Sequence, residues 1–281
     1  MELWYSLVSL LPFEWAQEGG YFFMKHALLA VLVISPLFGL LSTMVVSNRM
    51  SFFSDALGHS AFTGIAIGVL CGLAEPMWMS ALFAVVLSLL FSFVRHKANL
   101  ASDTVIGVFS STAVALGIFI ATLNGGSFTK FNSYLIGDIL SVDPRKIGLL
   151  ALILLLVLIL WVFCFNRLLL SSVHPALADS RGLKVFRLEA LFCAVVAVVV
   201  TVTMTWVGLL VINSLLVLPA AAARNLAKNV RQYHLLSILG AMVCGVLGLF
   251  CSYHVGSSSG ACITLFLSLW FTAGFFLRRG R

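Results

Sequence analysis

Apolar residues fill the chain in long runs, and the runs are broken at short intervals by Gly, Pro or small clusters of charge. Read against those breakers, the pattern predicts nine helical segments, at 27–47, 53–73, 77–94, 103–123, 147–166, 187–205, 207–223, 235–253 and 260–277. At 1.5 Å rise per residue, each reaches most or all of the way across a hydrocarbon core about 30 Å thick. The stretch 185–223 is apolar throughout and far too long for one crossing, so a break is placed near Thr205 and Trp206. Residues 127–142, SFTKFNSYLIGDILSV, predict a short amphipathic or re-entrant helix on the outer side. The expected fold is therefore all-α, a polytopic membrane protein with about eight to nine transmembrane helices. Residues 1–25 are expected to form an N-terminal interfacial segment rich in Trp and Phe. Glu2 and the lack of a basic stretch or a small-residue cleavage site argue against a cleaved leader there. Residues 26–281 are expected to form the transmembrane domain.

Composition agrees and narrows the function. The chain is 61% hydrophobic and 10% charged, against about 25% charged residues in soluble domains, which leaves no room for a soluble catalytic domain. A net charge of +7 would suit nucleic acid, but no basic and aromatic stripe accompanies it, and Lys and Arg collect on the cytoplasmic side of membrane proteins. With the N-terminus outside, only Lys25, Lys130, Arg145 and Lys146 of the 17 Lys and Arg residues face outward. The other thirteen, 17 minus 4, fall inside, and the C-terminus is then cytoplasmic. Six scattered cysteines form no C-x-x-C pair, so neither a disulfide framework nor a zinc ribbon is expected. No G-x-x-x-x-G-K-[ST] occurs, so the chain has no phosphate cradle of its own and any ATP hydrolysis belongs to another subunit.

Asp55 and His59 stand out within the second apolar segment, SFFSDALGHSAFTGIAIGVL. A carboxylate near the bilayer centre costs about 2.5–3.5 kcal/mol on insertion scales and ordinarily faces a cavity, a partner or a ligand. Four residues apart on a helix, the two side chains share a face with Cβ atoms about 5–6 Å apart. Entering from the cytoplasm just after Arg49, the span places them in the inner half of the membrane. A carboxylate oxygen and an imidazole nitrogen suit zinc, manganese or ferrous iron better than Cu(I). Two ligands are too few for a tight site, so other spans or a second copy of the chain must contribute. Otherwise the two groups simply bond each other or cap the helix start. Ala56, Ser60, Gly64, Gly68 and Gly72 form a small-residue ridge on the same helix, suited to close helix packing.

Elsewhere, Asn213 and Pro219 mark either an unwound, path-lining stretch or interhelical hydrogen bonding in the seventh span. Asp103 suits a helix N-terminus. His254 and Cys251 read as packing plus a surface imidazole. In the cytoplasmic loop 167–187, Pro175 and Gly182 bound a predicted helix of about two turns.

Several blocks together resemble the permease subunit of ATP-binding-cassette importers for zinc, manganese or iron, the ABC-3 family. They are FFMKHALLA from Phe22, DALGH from Asp55, SDTVIGVFSSTAVALG from Ser102, FNSYLIGDIL from Phe131, LADSRGLKV from Leu177, VGLLVINSLLVLPAAAAR from Val207 and GLFCSYHVGSSSGA from Gly248. The likeness covers nearly everything after residue 22. The family's D-A-L-S-H stands here with Gly58 in place of Ser, Ser258 stands where Pro is frequent, and Asp138 where a small residue is usual. The resemblance implies an ABC-importer permease fold in a bacterial inner membrane. It implies a translocation path enclosed by two permease chains, identical or related, with Asp55 and His59 contacting the transported metal ion and no permanently bound cofactor. Implied partners are cytoplasmic ABC ATPase subunits, which a coupling helix carrying Ala178, Arg181 and Gly182 would meet, and an extracytoplasmic metal-binding protein. No nucleic acid is expected. A proton-coupled secondary metal transporter is the competing expectation.

Overall fold

The computed structural model describes residues 2–9, 15, 17, 21–73, 75–98, 101–123 and 137–279. Its helices are α1 (Glu2–Val8), α2 (Phe22–Ser47), α3 (Phe53–Leu70), α4 (Pro76–Lys97), α5 (Ser102–Thr122), α6 (Pro144–Val173), α7 (Pro175–Ser180), α8 (Val185–Val207), α9 (Leu209–Leu226), α10 (Val230–Val255) and α11 (Ser259–Arg279). No strand occurs among the described residues, and nine of the helices are long and apolar enough to cross a membrane.

Burial sorts the nine. Helices α2, α3 and α8 are mostly covered, whereas α5, α6 and α11 leave most of their apolar surface open. In a bilayer, lipid covers such surface without penalty, so a helix that is apolar all round need bury only one face. Helix α2 packs on α6, α9 and α10, while α3 sits between α4 and α5 and also touches α8 and α9. The N-terminal segment is tied to the start of α2. Trp4 Nε1 donates to the Lys25 carbonyl at 2.9 Å, Lys25 Nζ donates to the Gln17 carbonyl at 2.9 Å, and the Tyr5 hydroxyl meets His26 Nε2 at 2.5 Å.

The long run 185–223 breaks at Gly208, two to three residues beyond Thr205 and Trp206. Gly208 has φ 93° and ψ 144°, a conformation open to glycine and costly for other residues. A Cβ there would also stand 2.7 Å from the Gly137 carbonyl oxygen. Two backbones thus touch without side chains between them, and the hinge sits where that contact is possible rather than where polarity rises. Gly208→Ala should combine positive-φ strain with this clash, at a cost of about 2–4 kcal/mol. A thermal melt of the purified variant checks it, and an unshifted midpoint would mean that the hinge does not need glycine.

Helix α6 runs two turns past the predicted end at residue 166 and takes in 167–173, the first part of the predicted loop. Asn166 and Arg167 end the apolar run but tolerate helix. The stop comes at His174, which adopts φ −140° and ψ 81° because the following Pro175 disfavours the α region. Pro175 then opens α7, a single short helix. It ends in a Schellman cap, with Gly182 at φ 74°, Gly182 N donating to the Asp179 carbonyl at 2.9 Å and Leu183 N to the Ala178 carbonyl at 3.0 Å. Of the predicted outer helix at 127–142, residues 127–136 lie outside the described residues. The remainder is a 3-10 turn, Ile139–Ser141, capped by Asp138 Oδ1, which accepts from Leu140 N at 3.0 Å.

Candidate functional site

The turn before α3 fixes where the site begins. Arg49 takes a left-handed conformation, φ 55°, and Arg95 reaches over from α4, donating Nη2 to the Asn48 carbonyl at 3.0 Å and placing Nη1 3.1 Å from Met50 Sδ. Helix α3 therefore starts at Phe53, and Asp55 falls in its first turn, where the positive end of the helix dipole favours a carboxylate. His59 follows one turn later on the same face.

Asp55 is held from two sides. Its Oδ2 lies 3.5 Å from His59 Nε2, and its Oδ1 accepts from Asn213 Nδ2 of α9 at 3.3 Å. The remaining side-chain atom of that amide, Asn213 Oδ1, is buried and accepts no hydrogen bond among the described residues. The Asp55 and His59 side chains are 47% and 36% exposed, so the pair opens away from the chain that carries it rather than being sealed in its core. An ionisable pair at the surface of a transmembrane helix has lipid as its alternative surroundings, which favours a polar passage or a partner at that face.

Packing of α9 on α3 brings Asn213 within reach. At Gly58, a Cβ would stand 2.5 Å from Leu209 Cδ1 and 3.1 Å from its Cγ. Leu209 thus uses the space that a Ser side chain would occupy, and Asn213, one turn on, meets Asp55. Helix α9 is anchored in turn to α11 by Ser214 Oγ and Thr264 Oγ1, 2.6 Å apart. It runs unbroken from Leu209 to Leu226 with Pro219 buried inside it, so the chain is not unwound at Asn213 and the break lies at Gly208. Distance along the chain hides the link between Asn213 and Asp55. The only sequence signal for it is the pairing of a missing side chain at Gly58 with a bulky one at Leu209.

The small residues of α3 divide by role. Ser60 is buried and donates to the Leu57 carbonyl at 2.7 Å. Gly64 lies against the backbone of α4, where a Cβ would fall on Ser80 Cα and stand 3.0 Å from the Met79 carbonyl oxygen. Gly68 meets Pro76, whose Cβ would be 2.9 Å from an added Cβ. Gly72 lies beyond the end of α3 in a turn at φ 70° with nothing within 4 Å, so its place reflects conformation rather than packing. Toward α5, Thr63 Oγ1 donates to the Ala113 carbonyl at 2.5 Å. Asp103 stands in the first turn of α5 without making a side-chain cap.

At the C-terminal end of α7, Arg181 and Gly182 are exposed, but Ala178 within the helix is fully buried. Ala178 points into the chain, so of the three residues expected at an ATPase contact only Arg181 and Gly182 face outward. Among the described residues, no group of three or more His, Cys, Asp and Glu side chains is placed to hold a metal ion. One chain supplies a carboxylate, an imidazole and an adjacent amide.

The sequence model of the ABC 3 transport family matches residues 20–278. The manganese import system permease protein ScaB of Streptococcus gordonii is 30% identical over 256 residues, 91% of each chain. The high-affinity zinc uptake system membrane protein ZnuB of Haemophilus influenzae is 25% identical over 252 residues, 90% of this chain and 96% of that one. Among solved structures, a chain of PsaBC from Streptococcus pneumoniae in complex with Fab superposes with a TM-score of 0.76 at 26% identity, covering 98% of this chain and 95% of the other. The helical architecture, the nine membrane-length helices and this match over nearly the whole length lead to one assignment: the chain belongs to the ABC 3 transport family and is a multi-pass membrane protein.

Proposed function

We propose that this chain is the permease subunit of an ATP-driven importer of a divalent transition metal ion, manganese, zinc or iron, and that Asp55 and His59 contact the ion in the path. The observation that carries the reading is the outward-opening Asp55 and His59 pair in a transmembrane helix, steadied by Asn213. Relatives named for manganese import and for zinc uptake support the cargo class.

One chain offers too few ligands for a divalent ion, so a second permease chain, identical or related, brings its own pair to a shared axis. Two carboxylates would then offset the charge of the cation. Without a phosphate-binding loop in the sequence, energy comes from cytoplasmic ABC ATPase subunits, which α7 meets through its exposed side at Arg181 and Gly182. An extracytoplasmic metal-binding protein delivers the ion to the opposite face. The charge distribution sets the N-terminus outside and the C-terminus in the cytoplasm of a bacterial cell. The ion must be held tightly enough for selection and loosely enough for release.

Reconstitution of the chain with its ATPase subunits and binding protein in liposomes tests the proposal. ATP-dependent accumulation of labelled manganese or zinc is expected, with the other ions competing. Accumulation driven by a pH gradient without ATP would replace this reading with a proton-coupled carrier.

A further inference from the structure

The basic end of the bundle carries a second polar feature, unconnected with Asp55 and His59. A cavity of about 480 Å³ opens between the ends of α2, α6 and α9 and the start of α10. Arg49, Arg224 and Lys228 line it with the hydroxyl-bearing Ser47, Ser172 and Tyr233, and among the described residues no carboxylate is in its wall. Among the described residues, none of the three cations has a carboxylate within 4 Å. Three neighbouring positive charges on one concavity repel one another; Asp103 shares a neighbouring cavity with Arg49 and Arg224 but does not line this one, and an anion here relieves the repulsion.

Directly below, an apolar groove of about 610 Å³ runs along the surface between α6 and α10. Its floor and walls include Leu40, Trp161, Phe165, Leu169, Leu235 and Ile238. The two spaces adjoin. Val230 borders both, and Leu169 of the groove lies one turn from Ser172 and Val173 of the cavity on α6. From Trp161 to Val173 the combined feature spans about 18 Å along α6, 12 residues at 1.5 Å each. Arg231 also borders the groove, adding a fourth cation beside the head cavity.

We infer that the α6–α10 groove and the cationic cavity above it form one binding site for an anionic glycerophospholipid, with its phosphate among Arg49, Arg224 and Lys228 and an acyl chain lying against Trp161, Phe165 and Leu235. Charge complementarity selects an anionic head, and an apolar groove that adjoins the cationic cavity at Val230 suits a ligand that has both parts. Basic pockets between transmembrane helices hold acidic head groups in this manner. The site is independent of the transport reading, and the proposed orientation serves only to assign it to the cytoplasmic leaflet.

The test uses the full-length chain, purified in detergent and equilibrated with equal amounts of phosphatidylglycerol and phosphatidylcholine of matched acyl chains, with retained lipid counted by native mass spectrometry. Phosphatidylglycerol should be enriched about tenfold over phosphatidylcholine, equivalent to a preference of about 1.4 kcal/mol. Arg224→Gln with Lys228→Gln should remove most of the enrichment, and Leu235→Trp, which fills the groove at an exposed position, should lower retention of both lipids. Equal retention of the two lipids by the unaltered chain would overturn the inference. So would enrichment that survives the double substitution, or displacement of phosphatidylglycerol by inorganic phosphate alone, which would mark a site for small anions. Unchanged lipid retention combined with loss of ATPase association in the double variant would assign the cavity to an acidic segment of that partner and would equally overturn the lipid site.

Discussion

Asp55→Ala is expected to abolish metal uptake while the protein still folds and inserts. The carboxylate is the only formal negative charge contributed by the pair, and an ion leaving water loses most of its compensation when that charge is removed. Where a bound ion seals this half-exposed pair from water, deleting the carboxylate costs about 3 kcal/mol, roughly a hundredfold in affinity. Because the side chain is half exposed and has no tight packing role, stability should change little, and removal of an intramembrane charge offsets part of what is lost. His59→Ala should give a similar loss, since it deletes the imidazole of the proposed site. Asn213→Ala should be milder, about tenfold in half-saturating metal, because the amide orients Asp55 from behind. Uptake assays with labelled manganese and zinc, normalised to membrane-inserted protein, check the series. Wild-type uptake in both the Asp55 and His59 variants would defeat the site assignment, and equal losses at all three positions would place Asn213 on the ion itself.

What could be read from the sequence follows from which forces are local. Membrane-length helices declare themselves because apolar runs and breakers lie along the chain, and all nine predicted spans correspond to helices of the structure. Asp55 and His59 were legible as a pair because one helical turn relates them. Positions set by contacts distant in sequence were less visible. Gly208 ends α8 because its backbone must clear Gly137, a neighbour seventy-one residues earlier (208 − 137), so the break falls there rather than at Thr205. Asn213 meets Asp55 only because Leu209 settles over Gly58, and neither residue signals that contact alone. Helix α6 outlasts its apolar run because Asn166 and Arg167 are compatible with helix, and hydropathy reports the membrane boundary rather than the helix end. The buried side of α7 depends on tertiary packing, which is why Ala178 points inward while Arg181 points out.

Gly64→Ala should be among the most damaging single-methyl changes in the protein. In isolation, a Gly to Ala change inside a helix gains about 1 kcal/mol from propensity, so helix formation favours the variant. Packing opposes it. The new Cβ would fall on Ser80 Cα and within 3.0 Å of the Met79 carbonyl oxygen and Ser80 N, all backbone atoms that cannot swing aside as a side chain can. Helices α3 and α4 must separate to admit it, and overpacking of this kind costs about 1–3 kcal/mol or more. Backbone displacement also reaches the site, since Asp55 and His59 ride on α3 and Arg95 on α4 holds the turn from which α3 starts. The propensity gain is outweighed, and both stability and uptake should fall. Gly148 in α6 supplies the control, because a Cβ there meets nothing within 4 Å and Gly148→Ala should be neutral or mildly stabilising. Thermal melts of the two variants in the same detergent separate the contributions, with the midpoint shifting about 2–4 °C per kcal/mol. A Gly64 variant as stable as the Gly148 control would mean that α3 and α4 are not held at backbone contact, and the small-residue ridge would then have no part in positioning Asp55 and His59.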